Sequence, residues 1–165
     1  MLKNKEKTIA HIILMECGPG HEDDGALHTD PHDPGGTTKF GISQRAFPKL
    51  DVAKLTRKDA EEIYDKVYWR AIRADSLQSG VDLFACDFAV TAGTPRINRI
   101  LSEAEWSVES LYNRRRIYYH SLVTQNPEKY KWFLEDWLKR CDQTLKVALE
   151  LEREEADEYV RKLRS

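Results

Sequence analysis

The chain has 165 residues, enough for one compact unit that buries roughly two-thirds of the surface its unfolded form exposes. Hydrophobic residues make up 41% and charged residues 33%, the balance of a soluble globular protein rather than a disordered one. The net charge of -2 provides no broad positive field and argues against a nucleic-acid partner.

The amino terminus, Met1 to Lys7, is basic, and Ile9 to Met15 is apolar. This imitates a signal peptide, but His11 interrupts the run and Glu16 follows with no small-residue cleavage pattern. A first helix over residues 6–16 is expected instead, stopped by Gly18-Pro19-Gly20. No apolar run approaches the roughly 18 residues of a membrane span. The expectation is therefore a monomer made in the cytoplasm without a leader, needing a separate route to any target outside. Cys17, Cys86 and Cys141 are odd in number and widely spaced, which favours free thiols over a disulfide framework or metal ladder.

Residues 17–42 form a long loop rich in Gly, Pro, Asp and His, with one small hairpin within 25–42 as the strand candidate. Thr56, with Asp59 three residues on, caps a helix over 57–68 that places Ala60, Ile63, Tyr64 and Val67 on one face. Residues 81–92 are apolar on nearly all sides and belong at the centre of the fold. Asp87 in that helix needs a partner, and neighbouring backbone is the expected one. Thr94-Pro95 opens a shorter helix. Three more follow: 107–124, one starting at Asn126-Pro127 with Tyr130, Phe133, Leu134, Trp137 and Leu138 on one side, and a charged one over 143–162. The fold class is mainly α.

Chemistry concentrates in the loop. It holds Glu16, Glu22, Asp23, Asp24, Asp30 and Asp33, the histidines His21, His28 and His32, and the hydroxyls of Thr29, Thr37 and Thr38. Cutting a glycosidic bond takes one carboxylic acid to protonate the leaving oxygen and a second carboxylate to stabilise the cation or activate water. A Glu at the end of an apolar helix suits the acid role, because partial desolvation favours the protonated form of a carboxyl. Gly35 and Gly36 let backbone approach a bulky sugar, and Asp33 before Pro34 has a restricted direction. The histidines match no metal-ligand spacing, so neither metal nor cofactor is expected. Tyr68, Trp69, Trp132 and Trp137 are sugar-stacking candidates, although aromatic residues at helical spacing more often pack in a core. Arg114-Arg115-Arg116 reads as a solvated face with one buried stem.

The segment Asp30-Pro31-His32-Asp33-Pro34-Gly35-Gly36-Thr37-Thr38-Lys39-Phe40-Gly41-Ile42-Ser43 resembles the signature loop of family 108 glycoside hydrolases, bacterial and phage N-acetylmuramidases. Asp87-Phe88-Ala89-Val90-Thr91-Ala92-Gly93 resembles the central helix of that family. Residues 114–119 and 133–140 resemble the carboxy-terminal module usually called a predicted peptidoglycan domain, here shortened. The resemblance implies a lysozyme-like fold over 1–165, with a catalytic part at 5–93 and a helical part at 94–165. It also implies endo-cleavage of the β-1,4 bond from N-acetylmuramic acid to N-acetylglucosamine in peptidoglycan, as in a phage endolysin released by a holin. A Glu would be the general acid, while Asp33 and Thr38 would position water. Sugar contacts are expected from Gly35, Gly36, Lys39, Phe40, Tyr68 and Trp69.

The acid is where the chain departs from the family. Where the family runs Glu-Gly-Gly-Tyr shortly before Asp-Pro, here sixteen residues separate Glu16 from Asp33. Glu16 is favoured because it leaves a rigid helix. Glu22 and Asp24 remain alternatives. Two rival functions also stand, a non-catalytic wall-binding or virion structural protein and a lytic transglycosylase.

Overall fold

The computed structural model describes residues 2–29 and 36–164. Helix α1 spans Leu2–Cys17 and starts earlier than the apolar pattern alone indicates. Gly18 ends it with a left-handed φ of 78°, its amide donating to the Leu14 carbonyl. A three-stranded antiparallel sheet follows, β1 (His28–Thr29), β2 (Thr37–Lys39) and β3 (Ile42–Ser43), in spatial order β1-β2-β3. The expected hairpin is thus present and gains a third strand.

Phe40 and Gly41 join β2 to β3 as a two-residue loop with φ of 53° and 73°. Both values are positive, as the loop twist of such tight hairpins demands. A bulky residue rarely adopts the left-handed region. Phe40 is held there by its amide donating to Gly25 O at 2.7 Å and by the Tyr64 hydroxyl donating to its carbonyl at 2.7 Å. Its ring is fully buried.

Thr56 caps α2 (Arg57–Tyr64) through a reciprocal box with Asp59, as expected. The chain then widens into a π turn over Asp65–Trp69, where the Arg70 amide reaches back five residues to Asp65 O. Helix α3 (Val81–Ala92) has the bounds expected from its apolar run, and α1, α4 (Thr94–Glu103), α5 (Val108–Gln125) and the last helix all contact it. Its Val81, Leu83, Phe84, Ala85, Phe88 and Ala89 belong to a core shared with Ile12, Ile13, Ile97, Leu111, Ala148 and Leu151.

The carboxy-terminal region differs from the expectation of two separate helices after Asn126. A single turn, α6 (Pro127–Tyr130), leads through residues 131–133 into one continuous helix, α7 (Leu134–Leu163). The physical reason lies in the residues taken as a break. No Gly or Pro interrupts 139–143, and Cys141 and Thr144 are fully buried, so the inward face continues unbroken. Among the described residues no helix is long and apolar enough to cross a membrane.

Candidate functional site

Glu16 occupies the last turn of α1 and looks into a cleft of about 300 Å³. The cleft is walled by Gly41, Ser43, Tyr68, Thr91, Trp137 and Arg140, drawn from the β2–β3 hairpin, the π turn, α3 and α7. The signature segment meets Glu16 at Gly41. A Cβ placed on Gly41 would lie 2.5 Å from Glu16 Oε2 and 2.7 Å from its Cγ. Glycine is therefore required there twice, by its positive φ and by the approach of the glutamate.

Thr38 is half-buried on β2 and pairs across the sheet with Ser43. Directly opposed residues send their side chains to the same face. Thr38 thus shares a face with a residue at the cleft rim.

A buried charge network fixes the other side of Glu16. Arg140 Nη1 donates to Glu16 Oε1 at 2.7 Å, and its Nη2 donates to Asp87 Oδ1 at 2.6 Å. Arg115 Nη1 donates to Asp87 Oδ2 at 2.7 Å, and the Thr144 hydroxyl donates to the same oxygen at 3.1 Å. His11 Nε2 lies 3.1 Å from the Thr144 hydroxyl oxygen, extending the chain of contacts to α1. Asp87 and Arg115 have no solvent exposure. With both carboxyls ionised, the formal charges of Glu16, Asp87, Arg115 and Arg140 cancel. Burial opposes ionisation of Asp87, yet Arg140 and Arg115 outweigh it and hold the carboxyl far below the usual carboxylate range. Against the same cost of burial, Asp87 and then Glu16 push the Arg140 guanidinium upward. Burial also raises the phenols of Tyr64 and Tyr68, and the charge of Glu16 adds to the effect.

This network corrects two expectations. Asp87 is satisfied by side chains 28 and 53 residues away, not by neighbouring backbone. Of the three consecutive arginines, Arg115 buries its whole guanidinium, not only its stem, while Arg114 and Arg116 form surface pairs with Glu103 and Asp142.

The alternative acids lie elsewhere. Glu22 lines a separate groove between α1 and α7, with Lys7, His11, Arg57 and Glu154. Asp24 is an exposed turn residue that accepts from the Ala26 amide at 2.9 Å and sits 3.2 Å from His21 Nδ1.

Among the expected sugar contacts, Tyr68 lines the cleft. Phe40 and Trp69 do not serve, because each is fully buried in the core and has no face to offer a ligand. The Lys39 ammonium is turned to the Ala53 carbonyl at 3.3 Å. Gly36 is half-buried just before β2. Asp33 and Gly35 lie outside the described residues, as do Asp30 and His32. Arg140, Thr91 and Ser43 were not expected at the site. Each lay within a segment of the family resemblance, Ser43 in the signature loop, Thr91 in the central helix and Arg140 in the carboxy-terminal part, but no local pattern set them apart from their neighbours.

Residues 20–93 match the family described as Glycosyl hydrolase 108. That segment includes Asp33, Thr38 and Gly41 but starts just after Glu16. The fold is similar to that of SagA from Brucella abortus, with a TM-score of 0.72 and 22% identity over 93% of this chain and 98% of that one. No curated protein sequence matches the chain.

Proposed function

We propose, from the premise that residues 20–93 belong to glycoside hydrolase family 108, that this protein is a peptidoglycan hydrolase with Glu16 as its general acid. One observation carries the reading. The signature hairpin packs its Gly41 backbone against the Glu16 carboxyl, on the wall of an open cleft. A family motif and a helix-end glutamate thus meet at one place, whereas Glu22 and Asp24 do not line that cleft.

In this mechanism the cleft takes a glycan strand across Tyr68 and Trp137. Glu16 donates its proton to the oxygen linking N-acetylmuramic acid to N-acetylglucosamine. That β-1,4 bond breaks as positive charge builds at the anomeric carbon. Asp33 accepts a proton from water that Thr38 helps to orient, and the water adds to the cation. Arg140, fixed by Asp87, restricts the Glu16 side chain to one direction and so lowers the entropy lost on reaching the reactive geometry. Residues 5–93 supply the acid, the water-orienting pair and most of the cleft. Residues 94–165 supply Trp137 and Arg140, so both halves act as one unit. The outcome of the reaction is loss of wall integrity.

One observation favours the rival reading of wall binding without cleavage. Glu16 is ion-paired with Arg140, and such a pair is also a common structural device. The protein acting on purified sacculi separates the readings. Release of products ending in a hydrated, reducing N-acetylmuramic acid supports hydrolysis. Products ending in a 1,6-anhydro ring would assign a transglycosylase, and sedimentation with sacculi without any product would assign a binding protein.

A further inference from the structure

Beside the cleft, the α6–α7 junction exposes aromatic surface that the reaction above does not use. Trp137, on the cleft wall, stacks with Phe133 at 5.7 Å between ring centroids and an interplanar angle of 24°. Tyr130 sits 5.9 Å from the same indole. On its inner side Trp137 stacks on buried Tyr119 at 4.9 Å, and the Tyr119 hydroxyl lies 2.7 Å from that of Thr91, also on the cleft wall. The stack therefore runs unbroken from the core, past the cleft, to the surface. Phe133 is 50% exposed and Trp132, the residue before it, 75%. Lys131 and Lys129 place their ammonium groups 4.9 Å from the Trp132 and Tyr130 ring centroids.

Large aromatic rings grouped at a surface are unfavourable in water unless a partner covers them. Their chemistry selects the partner. Flat rings held rigid by stacking suit the C–H faces of pyranose sugars, and the Lys129 ammonium suits a sugar that carries a carboxylate, while Lys131 is paired with Glu128 at 3.8 Å. We propose that Phe133, with Trp132 and Tyr130, forms a second binding platform that continues the Glu16 cleft and holds a distal N-acetylated, lactyl-carboxylate-bearing sugar of the same strand. The proposal rests on the glycan-cutting reading of the cleft and assigns that site a preference for longer strands. Continuity through Trp137 is what excludes an unrelated surface patch.

The test uses full-length Glu16→Gln protein, so that strands bind without being cut. The ligands are peptide-free glycan strands sorted by length, from the tetrasaccharide upward, followed by titration calorimetry. Adding Phe133→Ala or Trp132→Ala is expected to weaken binding of strands of eight or more sugars about tenfold, while tetrasaccharide affinity stays the same. Phe133→Trp is expected to restore the lost affinity, which a purely structural role would not predict. Length-independent affinity in all these proteins, each with an unchanged unfolding midpoint, would overturn the platform and leave the catalytic reading intact. Wild-type protein that neither binds strands of any length nor cuts sacculi would overturn the catalytic reading itself, and the platform with it.

Discussion

Replacing Asp87 with Asn removes one charge from the centre of the network while nearly preserving shape. Among the described residues, Arg115 is then left fully buried with no opposite charge in contact, and Arg140 keeps only Glu16. Breaking a buried pair by removing one partner costs about 3–5 kcal/mol, because the remaining charge stays desolvated. That is a large share of the roughly 5–15 kcal/mol by which a domain is folded. With a urea slope of about 2 kcal/mol/M, the unfolding midpoint should fall by roughly 2 M at pH 7. The pH dependence follows from the same geometry. The Asp87 carboxyl is held below its unfolded value, so its contribution is complete above about pH 4 and is lost as pH falls toward the folded value. Wild-type stability should therefore decline on acidification, and Asp87→Asn should lack that part of the decline. A variant within about 0.5 kcal/mol of wild type at pH 7, in the range of an ordinary surface change, would refute the account of the network.

Three further outcomes follow from the site. Gly41→Ala must displace Glu16 and strain a backbone at φ 73°, so it should lower activity well beyond the roughly 1–2 kcal/mol of a left-handed side-chain-bearing residue, read by sacculus turnover beside thermal unfolding. Arg140→Lys keeps one charge but loses the fork that spans two carboxylates; kcat should fall at least tenfold with KM little changed. Glu22→Gln and Asp24→Asn should each retain near-wild-type turnover, since neither residue lines the cleft; a collapse of activity in Glu22→Gln would move the acid to the other groove.

How much of this was legible in the sequence depended on the range of the interactions. The α3 bounds followed from a mostly apolar run between Gly80 and Gly93, and the α2 start from the Thr56–Asp59 spacing. Helix α7 was misread as two because Cys141 and Thr144 do not register as inward-facing apolar positions. Glu16 was legible as a residue leaving a rigid helix, and it lines the open cleft at the end of α1. Arg140 lies 124 residues away, and no local pattern links it to Glu16. Phe40 and Trp69 looked like ligand contacts because aromatic residues suit both sugars and cores, and only packing separates the two uses. Phe40 in fact braces the hairpin from beneath, with Tyr64 and Gly25, and it is Gly41 beside it that reaches the glutamate.

The central claim is that Glu16 is the acid of a glycan-cutting site, and Glu16→Gln tests it most directly. The amide keeps the size of the side chain and a hydrogen-bonding oxygen for Arg140, while Asp87 continues to hold that guanidinium, so the fold should survive. Initial rates of reducing-end release from purified sacculi should drop by about 10²–10⁴-fold, the usual worth of a positioned general acid, with the unfolding midpoint close to wild type. A folded Glu16→Gln protein that releases reducing ends at the wild-type rate would contradict the account.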